Sequence, residues 1–355
     1  MRPSASWRLT SSATRAEPPR ADLPEIRIDP VSGLRVIVAA ERRDRPGAWL
    51  GTAPRPALDP ESDPFRAGHE ERTPPEIYAL RPDGSRPDTP GWRVRVIPNL
   101  YPALVTADAD DSDPLDVGRG EPDLFATRPA AGAHEVLVNG PDPVSSLHDL
   151  GPEGLADAML VWRERMRTHG DAAYVHVIVN EGKEAGASLP HTHAQLYALP
   201  FVPAGVARER ERFTAYRDRT QGRNLLGDVV AEEVKNRERI VAVDSEAVAI
   251  CPFASQSPFH VQVVPRSPAP RFEDDGPLAA AMLHQVLDRM VVALAGIPPL
   301  NLWLRTAPPG SESFCWRIDV LPRLAQPAGL ELGAGVQLCA LAPESAARRL
   351  REAQR

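Results

Sequence analysis

Short segments in which apolar and polar residues alternate recur along the chain and predict that most of its regular structure is β-strand. Two such segments, at 26–29 and 34–39, flank a turn at 30–33 that contains proline and glycine, which predicts a hairpin. The stretch at 46–90 is rich in proline and glycine and predicts mostly loop. Alternation returns at 92–97 and at 134–139, where we expect the next two strands.

Helices are predicted where apolar residues recur every three or four positions. At 152–167 these residues are Leu155, Met159, Trp162 and Met166, which would share one face of a helix. The other predicted helices span 206–219, 277–295 and 343–352, and the other strands span 173–180, 194–199, 240–243, 247–250, 260–264, 301–305, 316–321 and 335–339. Because strands and helices are grouped and do not alternate strictly, we predict an α+β fold with a mainly antiparallel sheet and flanking helices.

The chain carries a hint of internal duplication. Each half has a strand that ends in Leu-Pro and bears polar or reactive residues at alternate positions. These residues are His191, His193 and Gln195 in the first half, and Cys315, Arg317 and Asp319 in the second. We therefore predict two copies of one unit, at 24–203 and 204–355, after a disordered lead-in at 1–23.

Composition and charge exclude several classes of protein. The chain has 355 residues and a net charge of −7, which argues against the basic footprint of a nucleic-acid-binding protein. No apolar run is long enough to span a membrane, and the N-terminus lacks the apolar core of a secretory signal. Its 3 cysteines are widely spaced, so we predict no disulfide framework and a cytoplasmic location.

The segment NEGKEAGASLPHTHAQ at 180–195 holds the strongest candidate chemistry. If its end is extended, His191, His193 and Gln195 point to the same side of a strand. The preceding loop contains Gly182 and Gly186, so its backbone N–H groups can approach an anion closely. We expect His191 to lie among the substrate-binding residues of this patch.

This arrangement suits phosphoryl chemistry. A neutral imidazole such as that of His193 is a competent nucleophile near pH 7 and could attack the α-phosphorus of a nucleotide. The Gln195 amide could donate to a phosphate oxygen, as could backbone groups around Ser188. The HxH spacing alone leaves two other interpretations open, namely a pair of metal ligands and a pair with a structural role.

The same segment resembles the central signature of the galactose-1-phosphate uridylyltransferase family, within the histidine-triad superfamily. Further blocks are similar to the family, among them RIDPVSGLRVIVAAERRDRP at 27–46, TPPEIY at 73–78, WRVRVIPNLYPAL at 92–104, NLWLRTAP at 301–308 and LELGAGV at 330–336. The resemblance covers about residues 25–350. It implies that both units are histidine-triad-like and that the second lacks the histidines.

The resemblance also implies roles for individual residues and an activity. The implied nucleophile is His193, with Gln195 and Ser188 as its catalytic support; the implied phosphate- and nucleotide-binding residues are Arg42, Arg45, Asn99 and Asn180. The implied reaction is ping-pong transfer of a nucleoside monophosphate between a nucleotide sugar and a sugar 1-phosphate or phosphate. A homodimer and no cofactor are also expected. Two rivals stay open: a nucleotide-binding protein without turnover, and a nucleotide hydrolase.

The sequence departs from the family at its metal sites. Where the family often has a CxxC pair, this chain has Asp-Pro-Phe-Arg at 63–66, and of the zinc ligands only His191 is retained. At the second site Glu209 is retained, whereas Pro268, Cys315 and Arg317 stand where histidines are expected. We therefore predict no structural metal, and we expect contacts from 63–66 or simple packing to take its place.

Three other positions receive ordinary interpretations. His134 begins a strand, and we expect a structural role for it. Cys315 has no histidine near it in the sequence, which favours a buried thiol over a nucleophile. The charged helix at 206–219 is expected to present a solvated face of arginines and glutamates that includes Glu209.

Overall fold

The computed structural model describes residues 23–41, 58–105, 124 and 128–354. Arg42, Arg45 and nearly all of the expected lead-in therefore lie outside the described residues. The strands are β1 (Glu25–Ile28), β2 (Arg35–Val38), β3 (Tyr78–Leu80), β4 (Val94–Pro98), β5 (Ala133–Val138), β6 (Tyr174–Glu181), β7 (His193–Leu199), β8 (Ile240–Val243), β9 (Ala247–Ile250), β10 (Val261–Pro265), β11 (Leu300–Arg305), β12 (Arg317–Pro322) and β13 (Gln337–Cys339). The α-helices are α1 (Gly151–Thr168), α2 (Ala204–Arg219), α3 (Leu225–Asn236), α4 (Ala280–Ala293), α5 (Gly329–Ala334) and α6 (Pro343–Glu352).

A sheet of ten strands organises the molecule, in the order β3-β4-β5-β7-β6-β11-β12-β10-β9-β8. Neighbouring strands are antiparallel throughout. Counted outward from its centre, one half reads β6-β7-β5-β4-β3 and the other reads β11-β12-β10-β9-β8. In both halves a long helix, α1 or α4, follows the third strand along the chain. The predicted duplication is therefore confirmed in the strand order.

The two faces of this sheet differ because the strands alternate apolar and polar residues. On one face, every second residue packs into the main hydrophobic core together with residues of α1, α4 and α6. The opposite face is polar at its centre and carries a small apolar cluster towards each end. The centre of this polar face is where the residues of the 180–195 segment lie.

A second, smaller sheet has the order β1-β2-β13. The β1–β2 pair is antiparallel, as the sequence predicts for a hairpin, and β13 joins β2 in parallel. Strands from the beginning and the end of the chain thus meet in one sheet. The division into units at 24–203 and 204–355 stays a prediction, since both halves contribute to one continuous ten-stranded sheet.

Two helices are absent from the sequence prediction, namely α3 and α5. Helix α3 begins after Asn224, whose side chain accepts a hydrogen bond from the backbone of Gly227 and so caps the helix. The cap and the apolar Leu225, Leu226 and Val230 are visible in the sequence and could have identified it. Within the described residues, no helix has the length and apolarity required to cross a membrane.

Candidate active site

Strand β7 brings His193 and Gln195 to the polar face of the sheet. Ala194 and Leu196 belong to the main core on the other face, so the intervening residues must point away from it. His193 pairs with Val138 on β5, and Gln195 pairs with both Val136 on β5 and Ile178 on β6. The burial of the alternate residues therefore fixes the side on which the candidate nucleophile lies.

The ring of His193 is held in one tautomer. Its Nδ1 atom lies 2.8 Å from the main-chain oxygen of His191, which can only accept, so Nδ1 carries the proton. The lone pair is then on Nε2, which has no hydrogen-bond partner among the described residues and is not one of their fully buried polar atoms. Burial lowers the pKa of His193 below its ordinary value and keeps the ring neutral.

A buried ion pair supports the start of β7. The Oδ2 atom of Asp63 lies 2.6 Å from Nδ1 of His191, and the Nε2 atom of His191 lies 2.9 Å from the oxygen of Gly140. Both ring nitrogens of His191 thus face oxygen acceptors of the protein. Burial alone would raise the pKa of Asp63, but the hydrogen bond and charge of His191 outweigh it and lower the pKa.

This geometry corrects the expectation that His191 binds substrate. The residue is 1% exposed and neither ring nitrogen is available to a ligand. The role of His191 is supporting: its ring holds Asp63, and its main-chain oxygen holds the ring of His193. Phe65, two residues after Asp63, packs edge-on against both histidine rings. The expectation that contacts from 63–66 occupy this place is met by Asp63 and Phe65.

Gln195 is surrounded by donors to its side-chain oxygen. The Nε2 atom of His134 lies 2.9 Å from Oε1, and the Tyr197 hydroxyl donates to the same atom over 2.8 Å. The rings of His134 and Tyr197 stack with their centroids 4.1 Å apart. Asn99 lies beside the group: its Nδ2 atom is 3.1 Å from Nε2 of His134, and its Oδ1 accepts from the backbone N–H of Tyr101. The structure therefore brings the predicted residues Asn99 and Gln195 together through His134.

Asn180 lies at the end of β6, one residue beyond the pair formed by Val179 and Ala194, and so at the level of His193. Its Oδ1 atom accepts a hydrogen bond from Nδ2 of Asn301 over 2.7 Å. The same Nδ2 donates to the main-chain oxygen of Ala185 over 2.8 Å. Asn301 on β11 thus links the Asn180 side chain to the loop that precedes β7.

That loop turns at two glycines, and backbone N–H groups at 185–187 donate to oxygens of the loop itself. Gly182 has a φ of 84° and Gly186 a φ of 88°, both in the left-handed region that favours glycine. Ser188 follows and is exposed, before the chain enters β7. The expectation that Ser188 contacts a phosphate stays a prediction.

A cavity of about 300 Å³ lies on the polar face beside Asn180. Its lining includes His176 and Asn180 of β6, Asn301 and Trp303 of β11, and Arg323 and Glu331 from the segment after β12. Burial lowers the pKa of His176 to about 4, so its ring is neutral at ordinary pH. The cavity has the size of a small-molecule site, and its lining combines polar and apolar residues.

The matching place in the second half is filled by an ionic network. Both guanidinium NH groups of Arg317 donate to Glu209 over 3.0 Å, and its Nε donates to Asp319 over 3.0 Å. Asp319 also lies 3.0 Å from Nε2 of His260. Glu209 is 3% exposed, so the expectation that it lies on a solvated helix face is wrong: it turns inward to pair with Arg317. Cys315 is buried, as expected.

Neither place fits the metal that the resemblance implies. His191 has no ring nitrogen left to ligate zinc, and at the second place the positive charge of Arg317 already lies between two carboxylates. Within the described residues, no three side chains of histidine, cysteine, aspartate or glutamate are grouped so that they could hold a metal ion.

Sequence reasoning missed Tyr197 and Asn301 and underrated His134. Tyr197 was recognisable, because it continues the alternation of His193 and Gln195 along β7. Asn301 lies far along the chain, and only the pairing of β6 with β11 brings it to Asn180.

Comparisons with known proteins place this chain in a family. Residues 16–203 match the family described as galactose-1-phosphate uridyl transferase, N-terminal domain, and residues 158–354 match a domain of unknown function. An ADP-glucose phosphorylase of Arabidopsis thaliana is 30% identical, over 93% of each chain. A probable galactose-1-phosphate uridylyltransferase of Drosophila melanogaster is 27% identical, over 93% of this chain and 95% of its own.

Solved structures agree with these sequence relationships. The crystal structure of an ADP-glucose phosphorylase from Arabidopsis thaliana with bound ADP-glucose superimposes with a TM-score of 0.77 at 27% identity, covering 94% of this chain and 100% of that one. A uridylyltransferase superimposes with a TM-score of 0.70 at 25% identity, covering 93% and 98%. The chain therefore belongs to the galactose-1-phosphate uridylyltransferase family, within the histidine-triad superfamily.

Proposed function

We propose that this protein transfers a nucleoside monophosphate through a covalent intermediate on His193. The donor is a nucleotide sugar and the acceptor is a sugar 1-phosphate or inorganic phosphate. This reaction is the one that members of the family perform, and two further features support it: the neutral His193 ring and the donor groups around it.

In the first step, Nε2 of His193 attacks the α-phosphorus of the nucleotide sugar. A nitrogen–phosphorus bond forms, the bond from the α-phosphorus to the bridging oxygen breaks, and the sugar leaves as its 1-phosphate. In the second step, an oxygen of the acceptor phosphate attacks the same phosphorus, the nitrogen–phosphorus bond breaks and the imidazole is regenerated. Asn180 and Gln195 donate hydrogen bonds to the non-bridging oxygens, where negative charge concentrates. Asn99 and Ser188 are further candidates for contacts with the nucleotide.

The observation that carries the proposal is the hydrogen bond from Nδ1 of His193 to the main-chain oxygen of His191. This bond assigns the proton to Nδ1 and leaves the Nε2 lone pair to act as nucleophile. If His193 were a metal ligand, it would use this same lone pair. The ring of His193 packs against Phe65, however, and not against a second ligand.

The relatives favour a particular pair of donors for testing. One of them is named as an ADP-glucose phosphorylase and others as galactose-1-phosphate uridylyltransferases. ADP-glucose and UDP-glucose should therefore be compared as donors, with inorganic phosphate and galactose 1-phosphate as acceptors. The cavity beside Asn180 and Trp303 is large enough to accommodate the sugar phosphate.

Isotope exchange tests the proposal. Labelled glucose 1-phosphate and each unlabelled nucleotide sugar are incubated with the protein in the absence of any other acceptor. When the nucleotidyl-enzyme forms, unlabelled glucose 1-phosphate is released. The intermediate then reacts with labelled glucose 1-phosphate in the reverse direction, so label enters the nucleotide sugar. We expect exchange with the native protein and none with His193→Asn. The control is His148→Asn, because His148 contacts Asp149 and Asp288 away from the polar face.

The other outcomes identify the rival functions. Binding of nucleotide sugar without exchange, measured by calorimetry, would contradict the transferase proposal and favour a binding protein. Release of nucleoside monophosphate in the absence of acceptor, faster than exchange, would favour a hydrolase.

We also propose a homodimer located in the cytoplasm. The strand β1 is an open edge of its sheet and presents Ile26 at 67% and Ile28 at 51% exposure, which suits burial against another subunit. The 3 cysteines are buried and unpaired, which suits a reducing compartment. Light scattering coupled to size exclusion would measure the mass in solution, and a monomer at all concentrations would contradict the dimer.

A further inference from the structure

Two side-chain amides lie next to the candidate nucleophile, and each can present either an oxygen or an NH2 group to a ligand. These are Gln195, two residues beyond His193 on the same strand, and Asn180 at the level of His193 on β6. For a phosphate ligand the difference matters, because an NH2 group donates to an anionic oxygen whereas an amide oxygen repels it. The neighbours of each amide determine which end is presented.

The orientation of Gln195 can be deduced from a main-chain group of fixed polarity. The backbone N–H of Ala103 can only donate, and it lies 3.0 Å from Nδ1 of His134. Nδ1 is therefore the acceptor of that ring, so the proton is on Nε2. Nε2 in turn donates over 2.9 Å to Gln195, and the partner atom must be the oxygen Oε1. The Nδ2 atom of Asn99 is a neighbour of this nitrogen and not its donor.

Tyr197 reinforces the same orientation. Its hydroxyl donates to Oε1 of Gln195 over 2.8 Å, while its ring stacks on His134. The oxygen of Gln195 thus has two donors, and its NH2 group is the end that remains for a ligand.

The orientation of Asn180 follows from a second main-chain group, the oxygen of Ala185, which can only accept. It lies 2.8 Å from the Asn301 side chain, so the atom facing it is the Nδ2 of Asn301. The same Nδ2 lies 2.7 Å from Asn180, whose facing atom must therefore be the oxygen Oδ1. Asn180, like Gln195, is left with its NH2 group outward.

We propose that His134, Tyr197 and Asn301 are positioning residues that turn the amides of Gln195 and Asn180 so that both present NH2 groups to the transferred phosphoryl group. The inference rests on the proposed function. Two independent arrangements, each beginning at a main-chain group, produce the same polarity on either side of His193. They prepare two donors before the ligand arrives, so no reorientation is needed when charge develops on the phosphate.

A double-mutant cycle tests whether Tyr197 acts through Gln195. The variants are Tyr197→Phe, Gln195→Ala and the two combined, and the rate of nucleotidyl-enzyme formation is measured in a single turnover with saturating nucleotide sugar. Tyr197→Phe keeps the stacked ring and removes only the hydroxyl. We expect it to slow this step about tenfold, with little change in the dissociation constant of the nucleotide sugar. In the Gln195→Ala background the same substitution should have almost no further effect.

A second double-mutant cycle pairs Asn301→Ala with Asn180→Ala. We expect Asn301→Ala to slow nucleotidyl-enzyme formation in the native background and to have almost no further effect in the Asn180→Ala background. His134→Ala should behave as Tyr197→Phe does, with a loss that disappears in the Gln195→Ala background. The control is Tyr174→Phe, which removes a hydroxyl from β6 at the level of Leu199, away from the amides, and should leave the rate unchanged. Thermal unfolding of every variant shows whether the fold is retained.

Additive losses in both cycles would overturn the inference, since the residues would then act independently of the amides. A Tyr197→Phe variant that weakens binding but keeps the saturated rate would also overturn it. These results require that the native protein forms the intermediate. If native protein shows neither exchange nor a single turnover, the proposed function itself fails and the inference fails with it.

Discussion

Asp63 and His191 are joined in the protein interior by a hydrogen bond of 2.6 Å, although 128 residues separate them in the chain. The pair ties the loop around 58–72 to the residue whose carbonyl oxygen holds the ring of His193. Phe65, anchored in the same loop, packs on that ring. The contact between Asp63 and His191 thus connects this loop to the start of the strand that carries His193.

Removal of the carboxylate at 63 should therefore destabilise the protein. Asp63→Ala leaves a buried ring nitrogen of His191 without its hydrogen-bond partner, and an unsatisfied buried polar group costs about 1–3 kcal/mol. We expect the free energy of unfolding, measured in urea, to fall by that amount. The control is Glu61→Ala, because the side chain of Glu61 is 82% exposed and pairs with Arg66 at the surface. Equal stability of the two variants would contradict a role for the buried pair.

The rate of nucleotidyl-enzyme formation should resist acid more than an ordinary histidine would allow. Burial lowers the pKa of His193 below 6.5, and the neutral ring is the nucleophile. The midpoint of the decline in rate should therefore lie below pH 6.5. The unfolded chain protonates this histidine first, so the shift makes folding less favourable below pH 6.5 and has no effect above it.

A profile of single-turnover rate between about pH 5 and pH 8 checks this prediction. Unfolding should be followed in parallel, to separate loss of the nucleophile from loss of the fold. A midpoint at or above 6.5 would mean that the ring is not buried in the way described.

The network in the second half of the sheet should be structural and not catalytic. Arg317→Ala would remove the cation that bridges the buried carboxylates of Glu209 and Asp319, with an expected loss of about 3–5 kcal/mol in the free energy of unfolding. The matched control is Arg217→Ala on the exposed side of α2. Folded Arg317→Ala protein should retain a normal rate per active molecule. A specific loss of turnover without loss of stability would contradict this assignment.

Activity should not depend on a bound metal, because the places of both family sites are occupied by ion pairs. Purified protein should contain far less than one equivalent of zinc or iron by elemental analysis. Prolonged chelation should leave the exchange rate unchanged. A stoichiometric metal whose removal abolishes exchange would show that the ion pairs do not replace the clamp.

Much of the fold could be predicted because most of its strands carry their own alternation. The α6 prediction at 343–352 matches the helix to the residue, and β7 was found to within one residue. Helix α3 escaped notice, although the Asn224 cap marked its start. Strand order could not be read from local pattern, since the pairing of β6 with β11 joins residues more than a hundred positions apart.

The site was predictable where one strand contains it and not where strands meet. His193 and Gln195 stand on one segment, so a period of two was enough to group them. The inward turn of Glu209 depends on Arg317, 108 residues away, and a charged helix pattern gave no sign of it. The same holds for Asn301, whose partner Asn180 lies on another strand.

The most direct test of the account is to find the transferred group on the protein. Native protein is mixed with ADP-glucose or UDP-glucose without acceptor, quenched in alkali to preserve a phosphoramidate, digested and sequenced by tandem mass spectrometry. The account predicts a nucleoside monophosphate on His193, which acid removes and inorganic phosphate or a sugar 1-phosphate discharges. The same adduct on another residue, or turnover of the nucleotide sugar with no adduct at any time point, would contradict it.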